Sequence, residues 1–174
     1  MAELTPAVFN RLEAMLVREP ARTEYEAQAL LRRDPGNVRA SLVLGAARRR
    51  RGDMIGAARG LVVLAKAHPQ MVEAHLELAL VLIALGEHGT GSERLKHGVD
   101  LDPAVAEAWL ESSLSSEPGN DTLRLALAET LYRLQKPGAA LGHLEQLLAR
   151  EALVPGVKTL ISACRSQMAE VNRE

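Results

Sequence analysis

VEAHLELALVLIAL, residues Val72 to Leu85, is followed at once by Gly86. The stretch reads as one helix, because strong helix formers run unbroken and a glycine stops them. Leu78, Ala79 and Leu82 mark one apolar face at helical spacing, and Leu76, Leu80 and Ile83 mark a second. Only Glu73, His75 and Glu77 interrupt. A helix lying on a surface shows one apolar stripe, so this one requires cover on two sides.

Working outward, three prolines supply a ruler. Pro35, Pro69 and Pro103 are evenly spaced, each at the close of a helical segment. Between them one pattern recurs. Val38 to Arg51 holds Leu44-Gly45, then a break at Gly52-Asp53, then a second helix with Ala57, Leu61 and Leu64. Val72 to Leu85 holds Leu78-Ala79, then a break at Gly86-Glu87, then Gly91, Leu95 and Gly98. Small residues (Gly45, Ala57, Ala79, Gly91) let neighbouring helices approach, and leucines fill the space between them. The Gly-Asp and Gly-Glu pairs turn the chain by a C-terminal glycine cap. Proline ends the second helix before the next begins.

On these residues the chain resembles the tetratricopeptide repeat (TPR) family, whose unit is a helix-turn-helix of about 34 residues, the interval between these prolines. The match rests on Leu44-Gly45 and Leu78-Ala79, the turn glycines Gly52 and Gly86, Ala57, Leu61 and Leu95, and Pro69 and Pro103. Departures stand beside it: Arg48 where the family pattern has Tyr, and Ser41 and His75 where it has Trp. The expected fold is all-α, a right-handed α-solenoid of antiparallel helix pairs. Its expected segments are a degenerate first pair at 1–36, TPR units at 37–71 and 72–105, a single linking helix at 106–120, a TPR-like pair at 121–152, and a C-terminal capping helix at 153–174.

Both flanks carry local signals. Thr5-Pro6 reads as a helix start with Thr5 as N-cap, followed by the stripe Phe9, Leu12 and Leu16. Glu19-Pro20 breaks that helix, and Thr23 to Arg33 forms the next. Downstream the ruler slips, since Pro118 follows Pro103 after less than half the earlier interval. One helix, from about Ala104 to Leu114 with Trp109, fills this gap. Its Ser-rich tail weakens its end. A last helix from about Pro155 to Val171 caps the array, as an exposed end requires.

Composition narrows the function classes. Hydrophobic residues make up 47 % of the 174 and aromatics only 2 %. The core is therefore Leu, Ala and Val, which suits close helix packing. The formal net charge of -1 gives no general attraction to nucleic acid or an anionic membrane. The single cysteine, Cys164, and the lack of an apolar leader are consistent with a cytoplasmic protein. The loop Gly86 to Gly91 lacks the preceding strand and the lysine of a phosphate loop, and no GxSxG or HExxH motif occurs. The five histidines have no cysteine near them. No catalytic residue, metal or cofactor is expected. Arg48 to Arg51 reads as a solvated helix end that complements the helix dipole, or as an acidic-peptide contact aided by Arg39.

What remains is surface for a protein partner. The resemblance implies a concave groove lined by the first helix of each unit, here Arg39, Leu42, Ala46 and Arg49, then Glu73, Leu76, Leu80 and Ile83. The same alignment adds Thr122, Leu125, Glu129 and Tyr132. Leu42 and Ala46 stand where some members carry a Lys and Asn set for a terminal carboxylate, so that activity is not implied. The expected function is a non-catalytic scaffold binding a peptide or helix of another protein. Alternatives are a repeat portion or regulatory subunit of an enzyme on another chain, and a homo-oligomerisation module. The final helix folding back into the groove is the internal alternative to any partner.

Overall fold

The computed structural model describes residues 6–150 and 156–171. The described residues form ten helices and no strand: α1 Pro6–Leu16, α2 Pro20–Arg33, α3 Val38–Arg50, α4 Met54–Ala67, α5 Val72–Ala84, α6 His88–Leu101, α7 Pro103–Ser116, α8 Asp121–Arg133, α9 Pro137–Ala149 and α10 Val157–Val171. The N-cap expected at Thr5 and the helix start expected at Pro155 fall outside the described residues.

The helix ends follow backbone chemistry. Asn37 caps α3 by accepting from the Ala40 amide, Asp53 caps α4 through Gly56, and Asp102 caps α7 through Ala104 and Val105. Three hairpin turns share one geometry. The amides of Asp53, Glu87 and Lys136 donate to the carbonyls of Arg48, Leu82 and Leu131, each at 2.9 Å. The residue before each amide has positive φ: Gly52 at 83°, Gly86 at 86° and Gln135 at 58°. This is the left-handed conformation of a glycine-type helix end. The first two were expected from their glycines.

Proline acts differently from expectation at two places. Pro20 and Pro103 occupy the first position of α2 and α7, where the missing N–H costs nothing and the fixed φ suits a helix. Accordingly α2 begins at Pro20 and not at Thr23, and one residue, Asp102, separates α6 from α7. The serine-rich end of α7 also holds through Ser116. Ser115 and Ser116 Oγ donate back to the carbonyls of Glu111 and Ser112, so their hydroxyls stay with the helix.

The chain divides into two compact units, Met1–Leu95 and Lys96–Glu174. In the first, each helix from α1 to α5 packs on its successor, while α1 touches α3 and α3 touches α5. These contacts make an inner row of α1, α3 and α5 and an outer row of α2 and α4. One core cluster joins α1, α2 and α3 through Phe9, Leu12, Ala27, Ala40 and Val43. Another joins α4 to α5 through Ala57, Leu61, Leu64, Ala74, Leu78 and Val81, with Leu42 and Leu82 against it. Gly45 lies against Leu61 within this packing, and Gly91 lies against Ile83. In the second unit α8 packs on α7 and α9, and α10 on both α9 and α8. Its buried side chains include Leu110, Leu123, Leu127, Leu144, Leu147, Ile161 and Cys164.

Candidate partner-binding faces

The inner row carries the side chains that the family resemblance places in a groove. Arg39 is exposed on α3. Its guanidinium pairs with Glu13 at 2.9 Å and sits 5.3 Å from the centre of the Phe9 ring. The ion pair and the cation–π contact together tie it to α1. Leu42 is half-buried against the α4–α5 cluster, and Ala46 is buried with Leu16 and Ala47. On α5, Glu73 and Ile83 are half-buried, whereas Leu76 and Leu80 are 0 % and 2 % exposed. The middle of the expected apolar strip is therefore closed to solvent in the folded chain, and its two ends remain reachable.

Arg49 and Glu77 alter the picture most. Arg49 Nε donates to Glu77 Oε1 at 2.5 Å, with side chains 6 % and 2 % exposed. The pair joins α3 to α5. Two charges taken out of water require each other, because the desolvation cost of either alone is several kcal/mol, on the order of a whole domain's margin. Arg49, expected to line the groove, is thus a buried cross-brace of the inner row.

Two more members of the arginine run, Arg48 and Arg51, are also held internally, although Arg51 keeps 47 % of its side chain exposed. Arg48 Nε lies 3.1 Å from Glu24 Oε1, Arg48 Nη1 donates to the Gly56 carbonyl at 3.2 Å, and Arg51 pairs with Glu24 Oε2. Burial pushes the Glu24 carboxyl upward, but hydrogen bonds from Arg51 and Arg48 and their charges outweigh it and hold the group below the usual range. The structural reason for this pairing is α2. Its Glu24 faces the end of α3, which single-helix reasoning about a C-terminal cation does not see.

In the second unit Thr122, Leu125, Glu129 and Tyr132 are all half-buried on α8. Burial raises the Glu129 carboxyl above its ordinary value, opposed by the charge of Arg133. His75 is buried, and its Nε2 donates to the Pro69 carbonyl at 3.0 Å, a bond that secures the turn into α5. Among the described residues no group of three or more His, Cys, Asp or Glu is placed to hold a metal ion, and no helix is long and apolar enough to cross a membrane.

The outer side of the first unit presents a face that sequence reasoning did not single out. Pro35, Val38, Ser41, Gly60, Val63 and Ala67 are among the residues that line a cleft of about 170 Å³. Gln28, Leu31, Arg32, Leu44 and Arg48 line a second, shallower depression. A signal was present in the chain, since Ser41 and Arg48 stand where the repeat pattern carries rings.

The fold is an all-α array of antiparallel helix pairs of the TPR type. No protein-family model and no curated protein matches the chain. Among solved structures it is similar to MamA of AMB-1, with 18 % identity over 80 % of this chain and 68 % of that one and a TM-score of 0.44. It is also similar to a thermophilic TPR protein in Thermus thermophilus, at 16 % identity over 95 % and 82 % of the two chains, with a TM-score of 0.49. A tetratricopeptide repeat protein from Parabacteroides merdae gives 12 % identity, 98 % and 76 % coverage, and a TM-score of 0.48.

Proposed function

We propose that the protein is a non-catalytic interaction scaffold. Its repeats at 37–71 and 72–105 hold a peptide or helix of a partner protein along the inner helices α3 and α5. The observation that supports this is the direct contact of α3 with α5, which puts Arg39, Leu42, Glu73 and Ile83 on neighbouring helices of one row while each keeps some exposure. A cation at one end, an acid at the other and aliphatic side chains beside them suit an amphipathic segment. Leu76 and Leu80 support the row from within and do not meet the partner.

The test uses a photo-crosslinking residue at Ile83, with a second at exposed Lys158 on α10 as control. A discrete adduct from position 83, absent from position 158 and weakened by Arg39→Glu, is the expected outcome. An adduct with an enzyme makes the scaffold that enzyme's regulatory subunit, and an adduct with the chain itself makes the row a homo-oligomer interface. Labelling that is identical at both positions eliminates an inner-row site.

A further inference from the structure

On the outer side of the first unit, α2 and α4 do not touch each other, and α3 forms the floor of the furrow between them. Ser41, Leu44 and Arg48 follow one another at helical spacing along that floor, which links the cleft to the shallower depression beside it. The cleft exists because two of its lining positions, one on the floor and one on the α4 wall, supply almost no side chain. Ser41 is small, and a Cβ placed on Gly60 meets no atom within 4 Å. The volume of the cleft is about 170 Å³. Cofactors and drug-sized ligands fill larger spaces, roughly 300–1,000 Å³. An apolar cavity on the order of 150 Å³ holds one benzene ring. The space is that of a single phenyl-sized side chain.

The rim of the furrow is apolar and cationic. Val63, 68 % exposed, stands at the cleft, and Tyr25, 66 % exposed, stands on α2 one turn from Gln28. Arg59 and Lys66 flank Val63 at helical spacing on α4, and Arg32 lines the α2 side. All three cations are exposed and none forms an ion pair among the described residues. The acids of α2 are already engaged by cations, Glu24 by Arg48 and Arg51 and Glu26 by Arg11 and Arg22, while Asp34 at its C-cap accepts from the Asn37 side chain. From Val38 to Ala67 the only acid is Asp53, which caps α4.

We infer that this outer furrow is a second docking site, taking an acidic segment of a partner protein that inserts one aromatic side chain into the cleft between Ser41 and Gly60. The free cations favour an acidic occupant by charge complementarity, and the cleft selects a ring. This site is separate from the inner row and does not depend on it.

Nuclear magnetic resonance on the full chain tests it, with three short synthetic peptides as probes: one of Asp and Glu around a central Phe, the same peptide with Ala for Phe, and the Phe peptide with Lys for every acid. The acidic Phe peptide should shift the amides of Ser41, Gly60, Val63 and Ala67. The Ala peptide should bind at least about tenfold more weakly, and the Lys peptide should not bind. Gly60→Leu fills the open space from within and should abolish binding while the circular dichroism and melting temperature of the protein hold. Should that variant misfold, the surface pair Arg59→Glu, Lys66→Glu carries the test by weakening the acidic peptide. Arg39→Glu should leave this binding unchanged, which keeps the outcome distinct from that of the inner row. No binding, or equal binding of the Phe and Ala peptides, overturns the inference. Self-association in sedimentation velocity that Gly60→Leu removes also overturns it, by giving the cleft to a second copy.

Discussion

Gly45 on α3 and Gly60 on α4 are chemically identical and structurally opposite. A Cβ at Gly45 would lie 2.6 Å from Leu61 Cδ2, whereas one at Gly60 meets nothing within 4 Å. Leu61 is fully buried, so it has nowhere to retreat. Gly45→Leu is therefore expected to lower stability by about 1–3 kcal/mol, the usual cost of overpacking a filled core. Urea denaturation of the variant checks this, and an unchanged midpoint contradicts the contact. The role of Gly45 was legible from its place beside Leu44 in a recurring pair. The role of Gly60 was not, because no neighbour in sequence reports whether space lies above a glycine. Arg49 and Glu77 make the same point with charge. Each could be placed on its own helix face from the sequence, but 28 positions separate them, and only the contact of α3 with α5 makes them a pair.

Helix starts and stops are legible where a residue type forces the backbone. Gly52 and Gly86 mark the hairpin turns because left-handed φ is cheap only for glycine. The third turn is legible from Pro137-Gly138 just beyond it, but its left-handed residue is Gln135, not a glycine, and the Gln135 side chain accepts a hydrogen bond from Gln167 of α10. The link between α2 and the end of α3 is likewise tertiary, and it is sensitive to pH. The Glu24 carboxyl is held below its ordinary value in the folded state, by hydrogen bonds that overcome burial. A depressed carboxyl contributes stability that is present above its unfolded value, near 4.5, and lost as pH falls through the folded one. Glu24→Gln should then be less stable than the parent at neutral pH. The gap between their melting temperatures should close on acidification below about pH 4.5. A gap that stays constant across that range means Glu24 adds nothing through its charge.

Over the whole molecule, repeats that touch only their neighbours confine a local defect to its vicinity. Each unit has its own buried leucines, so damage at Gly45 should stay in the first. Hydrogen exchange read by mass spectrometry should show Gly45→Leu losing protection in α2 to α5 while α8 to α10 keep theirs. Equal loss in both would mean that the chain opens as one cooperative body. The sequence by itself determined the class of fold, through the even spacing of its prolines, its Leu-Gly and Leu-Ala pairs and its turn glycines. These are local demands of helix packing and backbone conformation, and they repeat. It also singled out the helix at Val72 as too apolar for a surface. Only the tertiary structure decided how that helix is used: Leu76 and Leu80 are closed in, Glu77 is paired with Arg49, and Glu73 and Ile83 are left reachable at its ends. Burial and charge pairing depend on which helices lie side by side, and that order is set by contacts between residues far apart in the chain.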